Sequence, residues 1–87
     1  MARCMRMHPM DDVAVAVEAV AAGDVVSLPD GQQMTARDPI PFAHKIALRD
    51  IRAGAQIRKY GEVIGAATRD IAAGEHVHVH NIKSLRV

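Results

Sequence analysis

The chain has no tryptophan, one cysteine (Cys4) and two aromatic residues, Phe42 and Tyr60, in 87 positions. A single cysteine excludes an internal disulfide, and near the N-terminus it is expected to be incidental. The apolar fraction is 49%, much of it alanine and valine, so the expected core is thin. A chain this short is often stabilised by a metal, disulfides or a partner, which makes an obligate partner a physical expectation. No apolar run approaches the ~20 residues that span a bilayer. Met1 to Met10 is basic and methionine-rich but lacks the apolar stretch of a signal peptide. The net charge is +1 with both signs interspersed, and no basic patch is interleaved with aromatics, which argues against nucleic acid. Phosphate loops, dinucleotide fingerprints, nucleophile elbows and paired-cysteine metal motifs are all missing. One small, soluble, cytoplasmic domain is the expectation.

What is present is concentrated in Gly74-Glu75-His76-Val77-His78-Val79-His80-Asn81. Alternation at period two predicts an extended strand, with His76, His78 and His80 on one face and Val77 and Val79 on the other. Neighbouring histidines would then stand about 6 to 7 Å apart. A valine face in the core and an imidazole face toward a cleft, solvent or partner follow from that pattern.

An internal repeat organises the rest. Residues 47–57 (ALRDIRAGAQI) and 67–77 (ATRDIAAGEHV) match at six positions, and 16–26 (AVEAVAAGDVV) is a weaker third copy with Gly23 in the glycine slot. Each reads as an apolar strand, a corner ending Ala-Gly and a new strand, since glycine tolerates the positive φ of a tight corner. The Asp-Ile-x-Ala-Gly pieces suggest single helical turns capped by Asp50 or Asp70. Val13-Ala14-Val15-Ala16-Val17 alternates like a strand. Pro29-Asp30-Gly31 marks a hairpin between 25–28 and 33–35, and Gly61 and Gly65 flank a second. The predicted class is mainly β, one small domain over 11–83 with short helical turns, a flexible lead over 1–10 and a tail over 84–87.

Three groups of residues carry chemistry. Neutral imidazole suits zinc, iron or manganese, which makes His76, His78 and His80 candidate metal ligands. In His44-Lys45, the lysine is a point charge for a carboxylate and the histidine a proton carrier near neutral pH. Lys59 puts a second cation at a loop beside Tyr60.

The string His44-Lys45-Ile46-Ala47-Leu48-Arg49-Asp50-Ile51-x-Ala53-Gly54, then Ile57-x-Lys59-Tyr60-Gly61-x-x-Ile64-Gly65, then Asp70 through Asn81, closely resembles the SAF-type domain of the altronate/galactarate dehydratase family. Asp12 to Ala16 with Ala22-Gly23 looks like that family's opening segment, and where members commonly carry Gly before the His-Lys pair, Ala43 stands here. The resemblance implies a β-clip fold and the small subunit, or N-terminal module, of a larger lyase. Such enzymes eliminate water from sugar acids with iron or another divalent metal, iron or manganese being expected here and held mainly by the partner. It implies catalytic roles for His44, Lys45, His78 and His80, and substrate binding by Lys45, Lys59 and Asn81. The implied partners are a separate large catalytic subunit and a small hydroxy acid, with homo-oligomerisation left open. Two alternatives stand beside this: the small subunit of a sulfolactate sulfo-lyase, and a non-catalytic binding or assembly module.

Overall fold

A computed structural model describes residues 1–84. They form nine short strands: β1 (Ala2–Met5), β2 (Val13–Ala16), β3 (Val25–Ser27), β4 (Gln33–Thr35), β5 (Lys45–Ala47), β6 (Gln56–Lys59), β7 (Glu62–Ala67), β8 (His76–Val77) and β9 (Ile82–Ser84). Among the described residues there is no helix, so the fold is mainly β, and none is long and apolar enough to cross a membrane. The alternation at 13–17 does give a strand, and both of its faces are covered: Val13, Ala14 and Ala16 are all buried. Alanine's small side chain lets one layer come close while valine fills the other.

Six strands make one sheet in the order β4-β3-β1-β2-β5-β8, and β6-β7-β9 make a second. Two apolar clusters lie on either side of the central strands. One joins Cys4, Ala14, Val26, Ile40 and Ile46, and the other Val13, Ile51, Ile57, Ile71 and Val77.

The lead expected over residues 1–10 is corrected at its start. Ala2–Met5 fills the gap between β3 and β2, parallel to the first and antiparallel to the second. Ala2 and Cys4 point inward while Arg3 and Met5 point out. Burial, and then the Glu18 carboxylate, push the Cys4 thiol up to about 11, so it is an inert core residue. At the other end Ser84 is part of β9, and residues 85–87 of the expected tail lie outside the described residues.

The repeat unit proves to be a corner, and there are four of them. The helical turns expected at the Asp-Ile-x-Ala-Gly segments are instead tight turns joined in pairs. Ile51 and Ile71 exchange two backbone hydrogen bonds of 2.7 Å, and Val20 and Ile40 do the same at 2.9 Å. The fourth residue of every corner donates its N–H to an alanine carbonyl of the paired copy: Gly23 to Ala36, Ala43 to Ala16, Gly54 to Ala67 and Gly74 to Ala47, each at 2.8 Å. All four have positive φ, from 70° at Ala43 to 91° at Gly74. Asp50 and Asp70 do act as caps, but across the pair: Asp50 Oδ1 accepts from Ala73 N and Asp70 Oδ1 from Ala53 N. The copy at 36–46 escaped the sequence reading because Pro39, Pro41 and Ala43 disguise it.

Both expected hairpins form, β3–β4 and β6–β7. The second turns at Tyr60–Gly61, both at positive φ, while Gly65 lies inside β7. A Cβ on Gly65 would collide with the Lys83 carbonyl oxygen of β9, so close strand approach explains that glycine. Two buried carboxylates clamp this hairpin to β2. Asp11 accepts from the N–H groups of Tyr60 and Gly61, and Asp12 from Arg58 N and from Arg49 Nε at 2.7 Å.

Candidate functional site

Strand pairing assembles the site. β5 and β8 are antiparallel, with Lys45 opposite Val77 and Ile46 opposite His76. Side chains alternate across a strand, so His44, His76 and His78 share one face at the sheet's end, with His78 facing His44. The rings stack accordingly. The centroids of His44 and His78 are 4.0 Å apart, and those of His44 and His76 are 5.0 Å apart. His44 Nδ1 lies 2.8 Å from His76 Nε2, a hydrogen bond in which one ring must donate and the other accept.

The strand predicted through His80 stops at Val77. Asn81 closes a turn there: its Oδ1 accepts from His78 N and its Nδ2 donates to His76 O. The backbone N–H groups of Asn81 and Ile82 both donate to the His78 carbonyl. Val77 is buried as expected, but Val79, expected beside it in the core, is 80% exposed on the turn.

The ligand atoms of His44, His76 and His78 all lie within 4.8 Å of one another. The sequence pattern groups His76, His78 and His80 instead. His80 leaves with the turn and lies tilted against His76, with centroids 5.1 Å apart. Its place among the three is taken by His44, which is 32 residues from His76 in the chain. Burial, and then the charges of His80, His44 and His78, hold the His76 ring below the ordinary imidazole range, with Asp38 pulling the other way. Desolvation, then His44, Lys45 and His80, do the same to His78. These rings are biased toward the neutral, metal-binding form.

Lys45 points to the opposite face of β5, in a row with Met5, Val15 and Val77. Burial, and then the charge of Lys59, lower its pKa. Lys59 Nζ sits 5.2 Å from the centre of the Tyr60 ring. Among the described residues neither lysine has an ion-pair partner. Asn81, expected to touch substrate, is fully buried with its amide oxygen and nitrogen both engaged within the chain. One residue missed in the sequence is Asp38, whose Oδ2 accepts from His76 N at 3.0 Å. Flanked by Arg37 and Pro39, it reads locally as a turn residue, and only the folded chain brings it to β8.

The altronate/galactarate dehydratase SAF-domain model matches residues 2–85. The chain is 48% identical over 80 residues to an altronate dehydratase of Escherichia coli, covering 92% of this chain and 16% of that protein. It is 39% identical over 87 residues to (2R)-sulfolactate sulfo-lyase subunit alpha of Chromohalobacter salexigens, covering 92% of this chain and 93% of the subunit. Against galactarate dehydratase (L-threo-forming) of Escherichia coli the figure is 38% over 73 residues, or 14% of that enzyme. The chain thus spans under a fifth of the dehydratases it matches and nearly the whole of the sulfo-lyase subunit. With a match that runs almost end to end over strands, corners and histidines alike, the chain belongs to the altronate/galactarate dehydratase SAF-domain family.

Proposed function

We propose that this domain works with a large catalytic polypeptide, a separate subunit in our reading, as part of a cytoplasmic hydro-lyase that eliminates water from a sugar acid of the altronate or galactarate type. The observation that carries this reading is the convergence of three imidazoles, His44, His76 and His78, where β5 and β8 end side by side; on the opposite face of β5, Lys45 and Lys59 have no ion-pair partner among the described residues. The domain's open surface supports the need for a second polypeptide: Phe42 and Val79, within two residues of His44 and His78, are 67% and 80% exposed.

Elimination next to a carboxylate requires a group to take the α-proton, a group to protonate the departing hydroxide, and positive charge to stabilise the enolate-like intermediate. Lys45 and Lys59 hold the substrate carboxylate as point charges. His80, exposed on the turn beside His76, moves a proton between the site and water. His44, His76 and His78 fit a divalent first-row metal by donor chemistry, three imidazoles of which two are biased toward neutrality. An iron or manganese ion bound there would supply Lewis-acid stabilisation of developing oxygen charge.

The match over 93% of a sulfo-lyase subunit favours a second reading, elimination of sulfite from sulfolactate. The lysine pair accepts a carboxylate in either case. Isolating the large polypeptide that copurifies with this chain, and assaying it with altronate, galactarate and sulfolactate with and without the chain, separates the readings. Full activity of the large polypeptide alone would overturn both. Unchanged turnover of the complex after His78→Ala and His80→Ala would leave an assembly module.

A further inference from the structure

Beyond Val77 the ladder between β5 and β8 ends, so the His78 backbone has no strand to hold it. Among the described residues the outer edge of β8 has no neighbouring strand either. The amide of Asn81 occupies that edge. It accepts from His78 N at 3.0 Å and donates to His76 O at 2.8 Å, as a peptide group of an added strand would. Asp38 takes the remaining edge group, His76 N, at 3.0 Å. An asparagine offers one acceptor and two donors on a short stem, and here it lies wholly buried with both ends used.

We propose that Asn81 is a positioning residue: it replaces a missing strand along the outer edge of β8 and thereby holds the His78 ring against that of His44. This rests on reading the histidine cluster as the working site. Without the amide, His78 N and His76 O lose their partners, and residues 78–81 are free to follow the chain away from β5. The 4.0 Å ring contact would open with them. Aspartate at this position keeps the acceptor for His78 N, while it sets an oxygen against the His76 carbonyl in place of the donor and adds a buried charge.

The test compares the parent protein with Asn81→Ala, Asn81→Leu and Asn81→Asp. The first readout is the nuclear Overhauser contact between the ring protons of His44 and His78, and the second is Co²⁺ affinity by visible absorption. The expected result is a ring contact present in the parent and Asn81→Asp and absent in the alanine and leucine variants. Co²⁺ affinity should fall about 10- to 100-fold in those two, the usual effect of losing an outer-shell partner. Leucine fills the space of the amide, so it serves if the alanine variant does not fold. Ile57→Val, a core change in the cluster on the face of β8 opposite the histidine rings, controls for stability and should leave both readouts in place. A persistent ring contact in Asn81→Leu overturns the proposal. If the parent takes up no Co²⁺, the metal reading fails separately, and the ring contact still decides the role of Asn81.

Discussion

His44 Nδ1 and His76 Nε2 are 2.8 Å apart, although one follows the second corner and the other the fourth. If that pair and His78 bind one ion, His44→Ala should weaken Co²⁺ or Zn²⁺ binding by more than about 100-fold, beyond the loss expected for an outer partner. His80→Ala should leave it within about threefold. Titration calorimetry checks both, and equal losses in the two variants would restore the grouping read from the His-x-His-x-His pattern.

Acid should weaken the metal-free fold in a defined window. His76 and His78 bind protons less readily in the folded chain than unfolded imidazoles, which titrate near 6.5. As pH falls through that value the unfolded chain takes up protons that the folded rings refuse, so stability declines. It is fully present above about pH 7 and should shrink toward pH 5. Urea midpoints should fall over this range with unchanged slope, and His76→Gln should reduce the fall. A midpoint independent of pH between 7 and 5 would contradict the packing described for these rings.

Asp12 should be the most costly surface-adjacent charge to remove. Its carboxylate joins Arg49 of one segment to the Arg58 N–H of another while nearly buried. Asp12→Ala leaves those donors without their partner, at a cost of about 2–3 kcal/mol. For a domain of this size that is a drop in Tm of about 10–20 °C, readable by calorimetry.

Phe42 and Val79 should matter to association and not to folding. Both are largely exposed, so Phe42→Ser and Val79→Ser should change stability by less than about 0.5 kcal/mol. Affinity for the large polypeptide proposed as the partner should fall by about tenfold or more if either is an interface anchor. Surface plasmon resonance on the purified complex measures it, and unchanged affinity in both would move the interface elsewhere.

Much of this fold was legible in the chain. Val-Ala alternation marked β2, Pro29-Asp30-Gly31 marked its hairpin, and the Asp-Ile-x-Ala-Gly echoes marked corners, because each signal is local. β1 was hidden because two inward residues, Ala2 and Cys4, are too short a pattern beside four exposed methionines. At the site, His76 and His78 were recognisable as ligand types, and His44 only as a proton carrier. Their grouping depended on the β5–β8 register, which relates residues 32 apart, and on a turn that the alternation of valines concealed. The buried roles of Asp11, Asp12 and Asn81 were invisible for the same reason, since a carboxamide or carboxylate next to a turn looks alike whether solvated or enclosed.

The two corner pairs close loops of equal span, Val20 with Ile40 and Ile51 with Ile71, twenty residues in each. Closing either loop costs a similar and modest entropy. The two clasps are then tied together by Arg37 N donating to the Gly74 carbonyl at 2.9 Å and by His76 N donating to Asp38, so ordering one presents partners to the other.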